Sequence, residues 1–522
     1  MLDLAPLPNS LADGQLPLVA LALLLPVLAG ALLWHGRHAR REWLIFLGLA
    51  ALALVVRALA AWGPADLAEP RRWDVLYALQ PDDRPLFYGV PTLVELLVRL
   101  GVPPLALYRG LGPVSGALAV LATAWLARAT QLRLRWAVLA GVLVALWPAH
   151  IHHSASGGFG VLAGAALAAT LAAACDDRLL GAWRPLSVAV LATLAIYVRP
   201  EARVVLPALA LLAARPTWSW RQRTQLGLFL LVLLAGYAPM LASSADRVVE
   251  SSPADLAYWL LGEPRVAPIW WCWAGLAGIA VGRGDRLTRG ALGLTLAALL
   301  AGYLLTTEPN PGFGLWRYYM TLLPILAVGA ALLLARWPVL ERRAALVVAL
   351  AAATLLPYAG LWLQPSDLHL EFSTAMQGAK SALDRTDLLL LPDQAGDTHT
   401  GVDHFATVLL ALNLATGQRF DAQATPRQRG TMAAVPVASL EKWLDDPQRT
   451  RPHRIVAWLG VAVSPARQTQ LLSLGKWRTL HENTGDVLLQ LPESDARCPT
   501  AVGLGVTLHP CHLTVGWKVL EP

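Results

Sequence analysis

The sequence predicts an α-helical polytopic membrane protein of about 12 transmembrane helices with a water-soluble α/β domain at its C-terminus. Three observations predict it. Hydrophobic residues make up 56% of the chain and charged residues 15%, against roughly 25% charged in an ordinary soluble domain. Apolar runs able to cross about 30 Å of hydrocarbon recur between Leu16 and Trp362. Over that same stretch every basic residue is arginine, whereas the lysines (Lys380, Lys442, Lys476, Lys518) all come later. This break places a domain boundary near Gln364–Pro365, giving a membrane part, 1–364, and a soluble part, 365–522.

The expected spans are Leu16–Trp34, Glu42–Ala61, Arg109–Ala129, Trp136–Ala149, Gly158–Ala174, Pro185–Val198, Arg203–Ala214, Gln225–Ala242, Val266–Gly282, Ala291–Thr307, Tyr318–Ala335 and Ala344–Trp362. Pro185–Val198 and Arg203–Ala214 are short enough to form a hairpin. The first charged residues are Asp3 and Asp13. A secretory signal needs a basic start, so Leu16–Trp34 reads as a retained span.

The connecting segments set the orientation. Alternate loops are arginine-rich: Arg37/Arg40/Arg41, Arg128/Arg133/Arg135, Arg178/Arg184, Arg215/Arg221/Arg223, Arg283/Arg286/Arg289 and Arg336/Arg342/Arg343. The bias of short basic loops toward the cytoplasm puts these inside. Outside are the N-terminus, Trp62–Tyr108, His150–Gly157, Arg199–Glu201, Ser243–Arg265, Glu308–Arg317 and the C-terminal domain. The net charge of +7 is thus a topology signal, and nucleic-acid binding finds no support in it. The outer loop 62–108 is long and rich in acids, aromatics and prolines, with amphipathic stretches Trp73–Leu79 and Pro91–Leu100 suited to an interface. Ordered loops of that length are usually functional.

In the soluble part, Phe372–Leu383, His404–Ala415 and a segment from Ser464 or Pro465 to Leu474 read as helices. Asp387–Pro392, His453–Val463 and Val487–Leu491 read as strands. No glycine-rich phosphate loop follows a strand. Of Cys175, Cys272, Cys498 and Cys511, none forms a Cys-x-x-Cys pair. Cys498 and Cys511 are either a disulfide, if this part is extracytoplasmic, or free thiols.

Several residues have the chemistry for a site at the outer face. Asp66 lies just beyond a helix end, behind Trp62-Gly63-Pro64, where a carboxylate is held near the membrane surface. It is placed to take a proton from an acceptor hydroxyl while a lipid-borne donor lies in the adjacent leaflet. The other acids of the loop (Glu69, Asp74, Asp82, Asp83) read as solvated surface. Arg199, Arg203 and Arg317 stand at outer helix ends, against the general bias of arginine. Their planar forks suit a phosphate, and snorkelling anchors are the alternative, favoured for Arg203. His150, His152, His153 and Ser154 follow Trp147-Pro148. Two of the imidazoles have a spacing that would reach one metal, yet no acid adjoins them and no His-Glu-x-x-His occurs. A polar cap on the helix end is the plainer account; the sequence gives no sign of a bound cofactor, with a divalent metal left open. Trp270, Trp271 and Trp273 read as an aromatic belt.

The order Arg57, Asp66, Arg84-Pro85-Leu86-Phe87-Tyr88-Gly89, Leu107-Tyr108-Arg109 resembles the start of the C-type glycosyltransferases, which include protein O-mannosyltransferases and aminoarabinose transferases. Leu194-Ala195-Ile196-Tyr197-Val198-Arg199-Pro200-Glu201 is similar to a family Arg-Pro-Glu turn. Arg317-Tyr318-Tyr319-Met320-Thr321-Leu322-Leu323-Pro324 is similar to the opening of a late family helix. The resemblance covers Glu42 to Trp337. It implies a C-type glycosyltransferase fold in a bacterial inner membrane and an inverting transfer of a sugar from a polyprenyl phosphate to an acceptor (glycan, lipid or protein) on the periplasmic side. Asp66 matches the catalytic base. Leu67 stands where the commonest pattern has a second acid, which leaves Asp74 as a rival for that role. Arg199, Arg317, Tyr318, His150, His153, Arg84 and Tyr88 are the implied contacts to substrate or lipid phosphate.

Two other classes compete. A transporter or lipid flippase would carry ionisable residues well inside its spans, and apart from Arg57 and Glu95 near helix ends few are present. A non-catalytic anchor for the C-terminal domain would need a single helix.

Overall fold

The computed structural model describes residues 40–61, 97, 102, 104–155, 159–179, 181–235, 268–306 and 316–363, and strand residues 387–391, 419–421, 431–436, 454–459, 477–489, 501–503 and 506–520. Contacts divide the chain into two compact units, one of Met1–Ala61 and Tyr77–Leu363, the other of Trp62–Leu76 and Gln364–Pro522.

The first unit is helical where described. Its helices are α1 (Arg40–Ala61), α2 (Pro104–Ala129), α3 (Leu134–Leu146), α4 (Pro148–Ala155), α5 (Phe159–Cys175), α6 (Trp183–Val198), α7 (Val205–Ala213), α8 (Trp220–Ala235), α9 (Ile269–Val281), α10 (Arg286–Thr306), α11 (Trp316–Leu334), α12 (Pro338–Arg342) and α13 (Ala344–Leu363). A 3-10 turn, Pro200–Val204, leads into α7. Each expected span from Glu42 onward overlaps at least one of these helices, Trp136–Ala149 running through α3 into α4 and Arg203–Ala214 through the 3-10 turn into α7; Leu16–Trp34 and residues 236–242 of Gln225–Ala242 lie outside the described residues.

The expectation for His150–Gly157 requires correction. It is not a loop through its first half, because α4 runs from Pro148 to Ala155. The cause is Pro148. Its missing N–H ends the ladder of α3 at Leu146, while its fixed φ suits the first position of a new helix. A second difference concerns Arg203, which sits in the 3-10 turn ahead of α7 rather than on a helix of its own.

Helices α2, α3, α5, α6 and α11 form the interior, where Ala119, Leu126, Leu139, Leu143, Leu171, Val188, Leu323 and Val328 are fully buried. The rim differs in kind. Helix α1 buries Phe46 and Ala53 yet exposes Leu44, Leu47, Leu52, Val55 and Leu59, and α13 exposes Leu346, Leu350 and Leu356. A helix apolar on its outward face as well as its inward one is suited to lipid, not water. Among the described residues, Arg40–Ala60 and Gly110–Ala129 are long and apolar enough to cross a membrane by themselves. Shorter apolar helices include Leu134–Leu146, Gly160–Cys175, Trp183–Val198 and Met320–Leu334.

Close approach of α9 and α11 depends on glycine. A Cβ on Gly275 would lie 2.6 Å from the Leu326 carbonyl oxygen, and one on Gly278 would overlap the backbone of Gly329. Small residues at such crossings let backbones meet, which matters where no hydrophobic drive separates helix from lipid.

One end of the bundle gathers the arginine-rich connections into ion pairs. Glu42 of α1 bonds Arg128 at 2.9 Å and Arg178 at 3.1 Å. Arg178 also holds Asp176 at 2.9 Å, whose other oxygen accepts from Trp125 Nε1 at 2.9 Å. Asp177 bridges Arg184 (3.0 Å) and Arg215 (3.2 Å), and the Arg184 guanidinium lies 4.5 Å from the centre of the Trp218 ring. Asp285 caps α10 through the Thr288 N–H at 2.8 Å. Burial opposes ionisation of Asp285, but hydrogen bonds from Thr288, the Arg215 charge and the Leu287 N–H outweigh it, so its carboxyl sits below the ordinary aspartate range. Glu341 holds Arg133 and Arg135.

The second unit contains a mixed sheet in the order β2-β3-β1-β4-β7-β5, with β6 paired to β7. Its strands are β1 (Asp387–Leu391), β2 (Arg419–Asp421), β3 (Thr431–Pro436), β4 (Arg454–Leu459), β5 (Trp477–Leu489), β6 (Ala501–Gly503) and β7 (Val506–Leu520). Strands β1 to β4 pair in parallel, with Leu389 opposite Ala434 on one side and Val456 on the other. Strand β7 then runs antiparallel to β4 and β5. β1 and β4 fall within the expected strands and β5 extends well beyond the expected one; β2, β3, β6 and β7 are additional. The three expected helices and Cys498 lie outside the described residues.

Candidate functional site

At the end of the bundle opposite the ion pairs, the sequence places a cation inside an apolar helix. Arg57, one turn from the end of α1, is fully buried. The break between α3 and α4 explains why a guanidinium fits there. In an unbroken helix the Val144 carbonyl would accept from residue 148, which is proline and has no hydrogen to give. Arg57 supplies the missing donor: its Nη2 bonds the Val144 oxygen at 3.0 Å and its Nη1 the Ala145 oxygen at 3.0 Å. A second Nη1 bond reaches Ala53 in its own helix at 3.1 Å. Nε donates to Ser154 Oγ at 3.2 Å, and Nη2 lies 2.7 Å from His150 Nδ1. Five N–H donors thereby meet five acceptors.

Gly116 of α2 makes the space. A Cβ there would come within 2.5 Å of Arg57 Cδ, Arg57 Nε and Ser154 Oγ. Helix α4, which carries His150, His153 and Ser154, packs against α1, α2, α3, α5, α11 and α13. His150, His153 and Ser154 are all buried. Burial, and then the neighbouring Arg57 charge, push the pKa of His150 well below the ordinary histidine value, which favours the neutral ring. Its Nε2 is buried and has no hydrogen-bond partner among the described residues.

The other expected site residues are distributed as follows. Arg199 caps the end of α6, its N–H bonded to the Ala195 carbonyl at 2.9 Å. It is half-buried, with Glu201 at 4.0 Å. Arg203 is exposed. Arg317 and Tyr318 lie in the first turn of α11, and their side chains are outside the described residues, as is that of His152. Asp66, Asp74, Arg84 and Tyr88 also lie outside the described residues. Trp270 and Trp273 project from α9 and are exposed, while Trp271 donates to Thr354 at 3.2 Å. Among the described residues no group of three or more histidine, cysteine, aspartate or glutamate side chains could hold a metal.

Sequence reasoning picked out His150, His153 and Ser154 but missed that Arg57 bonds His150 and Ser154. Arg57 was visible as the first residue of the family-like series and as an ionisable residue near a helix end. The available signal was the pair of an arginine inside an apolar run and a proline-broken helix, whose freed carbonyls need donors.

No protein-family model matches the chain, and no curated protein matches it in sequence. Solved structures do. One is ArnT from Cupriavidus metallidurans bound to undecaprenyl phosphate, with a TM-score of 0.50 and 14% identity over 83% of this chain and 95% of that one. Another is a mutant of the arabinofuranosyltransferase AftD from Mycobacteria, with a TM-score of 0.48 and 16% identity. It spans 90% of this chain but only 41% of its own. ArnT is an aminoarabinose transferase of the C-type class, and the match runs through nearly its whole length. By that likeness the chain has a C-type glycosyltransferase-like fold.

Proposed function

We propose that this protein is a membrane glycosyltransferase that moves a sugar from a polyprenyl-phosphate donor to an acceptor on the periplasmic side of a bacterial inner membrane. The observation that carries the proposal is the fold shared with ArnT over 95% of that protein, whose structure holds undecaprenyl phosphate. Arg199 at the end of α6, Arg317 in the first turn of α11 and the Arg57–His150 cluster support it.

The chemistry assigned is a single displacement. Asp66 removes the proton of the acceptor hydroxyl, and the acceptor oxygen attacks the anomeric carbon from the face opposite the phosphate. As that bond forms, the bond to the phosphate oxygen breaks, so the configuration inverts and polyprenyl phosphate departs with the electron pair. Charge grows on the leaving phosphate through this step, and preorganised cations are the means to stabilise it. Arg199 and Arg317 take that role, with Tyr318, Arg84, Tyr88, His150 and His153 as further substrate contacts.

The test uses the purified protein in lipid nanodiscs with radiolabelled polyprenyl-phosphate sugars. Asp66→Asn is expected to abolish transfer while leaving donor binding intact. Loss in Asp74→Asn with full activity in Asp66→Asn would move the base to Asp74. Full activity in both would remove the general-base mechanism.

A further inference from the structure

The Arg57–His150 pair contains more information than its distances. A guanidinium has N–H donors and no acceptor, so at 2.7 Å from Arg57 Nη2 the His150 Nδ1 must be the acceptor. The other hydrogen-bond neighbour of that nitrogen among the described residues, Ser154 Oγ at 3.4 Å, gives its single hydrogen to the His150 carbonyl at 2.5 Å. A protonated Nδ1 would set two donors face to face. The ring proton therefore lies on Nε2, which is buried and has no acceptor among the described residues.

We infer that Arg57 is a positioning residue that locks His150 as a neutral Nε2–H donor, held for a phosphate oxygen of the lipid-linked substrate. The ligand half of this inference rests on the transferase reading above; the tautomer half does not. Two roles are thereby closed to His150. Metal ligation and general-base catalysis both need a ring nitrogen with a free lone pair, and Arg57 occupies the one that exists. What is left is donation. A buried donor without an acceptor is costly, and here it lies on α4, which packs against α1, α2, α11 and α13. Arg57 itself has no donor to spare for substrate, so its charge acts through the ring, making Nε2–H a stronger donor than a free imidazole.

The decisive measurement is nitrogen-15 magnetic resonance of histidine-labelled full-length protein in nanodiscs, with the His150 signals assigned by their loss in His150→Gln. A protonated Nε2 and a hydrogen-bonded, unprotonated Nδ1 are expected, unchanged from pH 8 to pH 5. In Arg57→Met the lock is gone, and mixed tautomers or an ordinary histidine titration should replace that pattern. Undecaprenyl phosphate should shift the Nε2 signal saturably, whereas phosphatidylglycerol nanodiscs or inorganic phosphate should leave it in place. His150→Phe should bind undecaprenyl phosphate about ten- to a hundred-fold more weakly, with His150→Gln, which keeps a donor, close to wild type.

An Nδ1–H tautomer, or the same pattern in Arg57→Met, overturns the positioning role. Saturable lipid binding that leaves Nε2 unmoved overturns the ligand assignment while sparing the transferase. A shift produced equally by phosphatidylglycerol or inorganic phosphate overturns the assignment to the lipid-linked donor. Absence of undecaprenyl phosphate binding in the wild type removes the ligand assignment and the transferase reading together.

Discussion

Replacing Gly278 with alanine tests the closest helix contact in the bundle. The new Cβ would overlap the Gly329 carbonyl oxygen and stand 2.9 Å from the Leu333 nitrogen, where ordinary contact begins near 3.4 Å. Both obstacles are backbone, so no side chain can swing away and the helices α9 and α11 must part by about 1 Å. Overpacking of this kind costs about 1–3 kcal/mol, and a gap of 0.5–1 Å forfeits about a quarter to a half of each dispersion contact along the seam. The better helix propensity of alanine returns about 1 kcal/mol. The net expectation is a loss of about 2 kcal/mol. Gly48→Ala provides the control, because nothing lies within 4 Å of its Cβ; it should be neutral or stabilising by up to about 1 kcal/mol. Unfolding of both variants in one detergent, followed by tryptophan fluorescence, gives the comparison. Equal stabilities for Gly278→Ala and Gly48→Ala would refute the close packing of α9 on α11.

Three further outcomes are expected. Asp177→Asn removes the shared partner of the buried Arg184 and Arg215, leaving Arg215 only Asp285 at 3.8 Å, and should cost about 2 kcal/mol in the same unfolding assay. Arg317→Ala should weaken donor binding more than acceptor binding, and equal effects on both would mark Arg317 as an anchor. A cysteine reporter placed after Gln364 should react with an impermeant thiol reagent from the outside, and reaction only from the cytoplasm would invert the topology.

Much of the helical unit was legible because an apolar run has to be long to cross a bilayer, and length survives uncertainty at either end. Glu42–Ala61 against the observed Arg40–Ala61, and Ala344–Trp362 against Ala344–Leu363, differ by a residue or two. Helix α4 was not legible. A proline followed by three histidines and a serine has poor helical propensity, and only its packing against α1, α2 and α13 settles the conformation. The long β5–β7 pairing was hidden for a different reason. Gly485 lies within β5 and Pro510 within β7, so neither strand shows clean alternation, and β-propensity depends on context that one strand does not display. His150 could be picked out, but not its role. Its partner lies 93 residues away, and no periodicity links an arginine in one run to a proline break in another.

The two ends of the helical unit treat charge in opposite ways, and the difference bears on function. At the arginine-rich end each cation of the network is answered by a carboxylate: Arg128 and Arg178 by Glu42, Arg184 and Arg215 by Asp177, Arg133 and Arg135 by Glu341. Those pairs suffice as structural joints between helix ends, some of them far apart in sequence, as with Arg133 and Glu341. Arg57 has no carboxylate among the described residues and is held only by carbonyls, a hydroxyl and an imidazole. A buried cation stabilised by dipoles alone is a poor device for stability, since an apolar side chain of similar volume avoids the desolvation penalty altogether. No carboxylate among the described residues pairs with its charge, and a low-dielectric surround extends the reach of a charge. Among the described residues Arg57 therefore places at this end of the bundle a positive charge of the sign that an anionic phosphate would meet.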